Sequence, residues 1–147
     1  MTTVVSNTAN RSLTSSLIAG ALAGLVGGAV FGLMMSMMGM LPMVGMLVGS
    51  ESAVVGFIVH MAISAFIGAV YGGAAGRLPK TTGVAIGAGA ANGIVWWVLG
   101  ALIMMPLMLG MGEMVFVIGG DQWMSLIGHL IFGVVTGLVF LALSKRS

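Results

Sequence analysis

The sequence predicts an all-α integral membrane protein of four transmembrane helices, built as a parallel duplication of a two-helix hairpin and packed on glycine ridges. Three observations predict it. The first is composition: 59% of the 147 residues are hydrophobic and 5% are charged, with mean hydropathy +1.20, whereas soluble domains are about a quarter charged. Five Lys and Arg with three Asp and Glu cannot cover a soluble surface. The second is that four apolar stretches each reach the roughly 20 residues needed to cross a hydrocarbon core about 30 Å thick. The third is that the two histidines begin matching segments, His60 to Gly68 and His129 to Gly137. Each has a small residue at i+4, a glycine at i+8 and an aromatic, Tyr71 or Phe140, at i+11. On a helix with 3.6 residues per turn these positions share one face.

Taken in order, residues 1–12 are rich in Thr, Ser and Asn with one cation, Arg11, and read as a mobile cytoplasmic tail. The first span covers 13–36. It is not expected to be a signal peptide, because no A-x-A site follows and the same design recurs in the third span. An apolar connector broken by Pro42 and glycines (39–50) leads to the second span, 51–76. Arg77, Pro79, Lys80, Thr81 and Thr82 form the one polar loop inside the chain. The third span covers 83–105, a second Pro- and Gly-broken connector 106–120, and the fourth span 121–144, with Lys145 and Arg146 closing the chain. The domain reading is therefore a tail (1–12), a first hairpin (13–80) and a second hairpin (81–147) in one membrane domain.

The repeat sets the topology. Gly24, Gly28 and Phe31 align with Gly89, Gly93 and Trp96 at an offset of 65, and His60, Gly68, Tyr71 and Arg77 with His129, Gly137, Phe140 and Arg146 at an offset of 69. Each copy holds two crossings, so both enter the membrane in the same sense. That gives a pseudo-two-fold along the membrane normal rather than the inverted repeats of many transporters. Arg11, Arg77, Lys80, Lys145 and Arg146 fall at one end of the spans; Glu51, Glu113 and Asp121 fall at the other. The positive-inside rule then predicts cytoplasmic termini and middle loop.

Small residues recur along the spans at Gly24/Gly28, Gly68/Gly72/Gly76, Gly89/Gly93 and Gly133/Gly137. Such GxxxG ridges are expected as helix-packing seams, because hydrophobicity cannot drive association within lipid. Their abundance also points to a homo-oligomer. Asn92, at mid-depth in the third span, is expected to hydrogen-bond a neighbouring helix. Ser50, Glu51, Ser52 and Asp121 look like helix caps.

Most of the 15 methionines fall in two clusters near the connectors. Met34 with Met38 and Met104 with Met108 are spaced one helical turn apart, and soft thioethers suit Cu(I), with His60 and His129 as further ligands. Paired imidazoles at matched depth also suit axial ligation of haem b. The plain alternatives are that Met fills apolar space and that each histidine makes a helix-to-helix hydrogen bond. The chain has no cysteine, which removes disulfides, iron–sulfur clusters and thiolate sites. It shows no catalytic motif, no phosphate loop and no nucleic-acid footprint.

The segments Trp96 to Gly100 leading to Met105-Pro106, and Ser125 to Gly133 with His129 between, resemble those of uncharacterised bacterial four-helix membrane proteins with a duplicated histidine-bearing hairpin. The resemblance implies a bacterial inner-membrane setting and no activity. The expected function is a non-enzymatic accessory or structural subunit, in contact with the lipid bilayer and with a homo-oligomer or larger membrane complex. The alternatives are a haem- or copper-binding membrane protein using His60 and His129, and a small channel or transporter. The last is disfavoured because no span has a polar stripe.

Overall fold

The computed structural model describes residues 2–145, with side chains from position 13 onward. Every regular element among these residues is helical. Four helical runs, Leu13–Met37, Ala53–Ala75, Thr82–Met108 and Gly120–Ser144, are long and apolar enough to cross a membrane. Helix α1 runs Thr2–Met37, so the polar stretch expected as a tail continues the first span as helical backbone.

Several of these helix ends have a local cause. Helix α1 stops at Gly39, whose φ of 68° only glycine adopts cheaply, and the Met40 N–H donates to the Met35 carbonyl at 2.9 Å, closing the turn. Pro42 then opens the short α2 (Leu41–Gly45), where a missing N–H does no harm. A 3₁₀ turn, Met46–Val48, ends at Gly49 with φ 76°. Helix α3 (Ala53–Ala75) begins at Ser52, whose hydroxyl accepts the Val55 N–H at 3.5 Å, while Glu51 is exposed. Of the three residues expected to cap here, Ser52 makes the capping bond and Ser50 Oγ accepts the Ser52 N–H at 3.2 Å. Thr81 caps α4 (Thr82–Trp96) in the same way, at 3.3 Å.

From Trp97 to Met104 the third span winds as a π-helix and then tightens to α5 (Met105–Met108). Pro106 has no N–H to offer the Leu102 carbonyl four residues back, and the Phe116 N–H fills that place at 3.2 Å. To reach it, Phe116 takes a φ of 58°, a costly conformation for a residue with a Cβ. Helix α6 (Gly120–Ser144) is opened by Gln122, whose Oε1 accepts the Gly119 N–H at 2.9 Å. Asp121 sits in the first turn, but the capping bond expected of it belongs to Gln122.

Three helix pairs pack closely: α1 with α3, α4 with α6, and α1 with α6. On α1, a Cβ added at Gly20 or Gly24 would strike the backbone of Gly72 or Gly68, and one at Gly28 would strike the Ser64 side chain. On α4, a Cβ at Gly89 or Gly93 would strike the α6 backbone at Gly133 or His129, and Gly137 faces the Ala85 carbonyl. Gly76 lies against Ser16. Helices α1 and α6 meet where Gly27 faces Thr136 and Phe31 covers Gly128. Helix α3 barely touches α4; Phe66 and Trp96 meet edge to face, with ring centroids 6.1 Å apart. The order around the bundle is thus α3, α1, α6, α4, with one open side.

The half of the bundle near the Arg77 loop is closed by Ala23, Tyr71, Ala75 and Phe140. Tyr71 and Phe140, the aromatics eleven residues past each histidine, meet edge to face at 5.5 Å. Lys80 Nζ donates to the Ser144 carbonyl at 2.7 Å and ties the loop to the end of α6. At the opposite end α2 folds onto the start of α3, where Gly56 faces the Leu41 carbonyl, and Leu41 and Val44 join a core with Phe31, Met35, Ile67 and Phe132.

Candidate functional site

Both histidines line one cleft of about 270 Å³ on the open side of the bundle, in the half that carries the connectors. Helix α1 and the first connector contribute Phe31, Met35, Met38, Met40 and Met43; α3 contributes His60, Ile63, Ser64 and Phe66. The π-helical segment and α5 supply Gly100, Met104, Met105 and Met108, and α6 supplies Met124, Ser125, His129 and Phe132. Eight of the 15 methionines therefore surround two imidazoles. The volume lies just below the range of small-ligand pockets, roughly 300–1,000 Å³.

The hydrogen bonds fix the state of each ring. His60 Nε2 lies 2.9 Å from the Gly28 carbonyl across the α1–α3 contact. A carbonyl only accepts, so Nε2 carries the proton and donates it, leaving Nδ1 with a lone pair. His129 Nδ1 lies 2.8 Å from the Ser125 carbonyl one turn back and 3.3 Å from the Ser125 hydroxyl. Here Nδ1–H is the donor, and Nε2 holds the lone pair. Among the described residues, neither lone-pair nitrogen has a hydrogen-bond partner. His60 is buried and His129 half-buried. Phe31 touches both rings edge to face, its centroid 5.4 Å from His60 and 4.9 Å from His129.

The methionines singled out by spacing divide. Met38, Met104 and Met108 line the cleft. Met34 packs instead against the neighbouring apolar core, and Met35 faces the cleft in its place. Elsewhere in the lining, Phe31, Met105, Met124 and Ser125 were not among the residues expected at a site. Ser125 had a visible signal, four residues before His129 where its carbonyl meets the ring. Met124 and Met105 had none, since Met at an apolar helix position reads as filler.

Asn92 departs from its expected role. Its Nδ2 is buried without a hydrogen-bond partner, as is Thr136 Oγ1, which sits against Gly27. Among the described residues no three His, Cys, Asp or Glu side chains gather into a metal-ligand cluster, so a metal would have to draw on thioethers beside the two imidazoles.

Comparison with known proteins leaves the cleft to its own chemistry. No family model, no curated protein and no solved structure matches this chain.

Proposed function

We propose that this is a multi-pass membrane protein that binds a metal ion in the cleft through His60 and His129, acting as a binding protein rather than an enzyme. The observation that carries the reading is the pair of tautomers. Ligating histidines almost always donate their other ring N–H to a carbonyl or carboxylate, which fixes the tautomer and raises the basicity of the ligating nitrogen. His60 and His129 each have that arrangement, on different helices, facing one cleft ringed by methionines.

Haem b has less support. A porphyrin clasped between the two imidazoles would have to displace Phe31, which packs against both, and the volume of about 270 Å³ is small for a macrocycle with side chains. Elemental analysis and absorbance of the protein purified in mild detergent test the reading. The expected result is a metal that co-purifies or is taken up, is lost in His60→Ala and in His129→Ala, and brings no Soret band. A Soret band would reverse the choice between haem and metal; uptake unchanged in both variants would remove the site.

The wider setting belongs to the same proposal. The two hairpins descend from one duplicated unit and pack on their glycines, a reading supported by the equivalent close approaches of Gly24 to the Ser64 carbonyl and of Gly89 to the Gly133 carbonyl. The protein lies in a bacterial inner membrane with the Arg77 loop and both termini in the cytoplasm, which places the cleft in the outer half. Assembly as a homo-oligomer or within a larger complex is supported by Gly83 and Gly87 on α4, where added Cβ atoms would meet open space rather than a neighbouring helix.

A further inference from the structure

The charge of the cleft narrows the kind of ion, an inference that rests on the metal reading above. We propose that the cleft holds a soft monovalent cation, of the Cu(I) or Ag(I) kind, on neutral imidazole and thioether donors, and turns divalent ions away. Glu51, Glu113 and Asp121 are all exposed, and none lines the cleft. No side chain around it carries an anion, and each imidazole has committed its N–H to a carbonyl, so both present neutral nitrogen. The cost of bringing an ion out of water grows with the square of its charge, and in low dielectric only nearby opposite charge repays it.

A monovalent ion thus carries a far smaller penalty here than Zn(II), Ni(II) or Cu(II). Zinc sites recruit thiolates or carboxylates beside histidine, and hard cations recruit oxygens; this lining has neither in charged form. Thioether sulfur favours Cu(I). Met35, which is 7% exposed, and the half-buried Met105 belong to the inner lining, whereas Met104 and Met108 are exposed at its rim. The inner pair, together with the histidines, is the donor set assigned here.

The test loads the full-length protein in detergent with Ag(I), with Cu(I) under a reductant, or with Zn(II) or Ni(II), desalts it, and measures retained metal. Retention of Ag(I) and Cu(I) but not of Zn(II) or Ni(II) is expected. The double variant Met35→Leu, Met105→Leu keeps core volume and should retain Ag(I) roughly tenfold more weakly, a loss on the scale seen when a metal site is disturbed, with unchanged elution and melting. Zn(II) retained as well as Ag(I), and lost in His60→Ala and His129→Ala, would overturn the monovalent class and leave the metal reading standing. Ag(I) retention unaffected in the methionine variant would overturn the thioether donors. No retained ion of either charge in the wild type would overturn both.

Discussion

At the scale of single residues, His60 and His129 occupy aligned positions in two similar segments yet solve the same problem differently. An imidazole in an apolar surrounding must place its N–H. His60 reaches across to Gly28 on α1, while His129 turns back to Ser125 on its own helix. The first bond joins two helices and the second does not. His60→Gln should therefore be mild, because an amide can still donate to Gly28, and His60→Leu should lose about the 0.6–1 kcal/mol typical of a hydrogen bond between helices in a membrane. Unfolding by detergent titration measures both. Equal losses for Gln and Leu would mean that packing, not the bond, holds His60.

Among the elements, glycine positions separate into those that carry a close approach and those that do not. Gly72 faces the α1 backbone at Ser16 and Gly20, and Gly128 lies directly under the Phe31 ring, whereas nothing lies within 4 Å of a Cβ at Gly87. Gly72→Leu and Gly128→Val should each cost at least the roughly 1–3 kcal/mol of an overpacked core, the former more, because its obstacle is backbone. Gly87→Leu should leave the fold of the single chain unaltered. Thermal melting compares the three, and size-exclusion of Gly87→Leu separately reports whether that face joins copies. A melting loss in Gly87→Leu as large as in Gly72→Leu would contradict the packing described here. The π-helical segment belongs to this scale as well: it carries the third span past Trp97 without a break, so Met104, Met105 and Met108 continue along one wall of the cleft, while the first span breaks at Gly39 and folds α2 over α3.

For the whole molecule, the open side follows from side-chain size. Under the sequence alignment of the two hairpins, Gly27 and Gly128 at the α1–α6 contact correspond to Asn92 and Val59, and Phe31 to Trp96. Two glycines let α1 settle against α6. The bulkier set stands where α4 would have to approach α3, and that side stays apart. The charge distribution makes a separate prediction about the molecule in its membrane. Because the chain has no cysteine, single cysteines at Lys80 and Glu113 can be labelled in intact cells with an impermeant maleimide. Labelling is expected at position 113 and not at 80; the opposite pattern would invert the topology and put the cleft in the inner half.

The sequence by itself determined what depends on solvent and on local chain chemistry. Few charges and long apolar runs made four helices long and apolar enough to cross a membrane, Pro42 and glycines broke the first connector, and Ser52 set a helix start. It also marked the two histidines as a related pair. Glycine spacing marked candidate seams but not which seam meets which, because in lipid the outside of a helix is as apolar as its inside, so hydropathy carries no sign of orientation about the helix axis. Helix azimuth is decided by shape: a glycine under a phenyl ring at Gly128, or an amide and a valine where glycine would have been needed, at Asn92 and Val59. Only the folded chain brought His60, His129 and eight methionines to one cleft, left Met34 outside it, and fixed by two carbonyls which nitrogen of each ring keeps its lone pair.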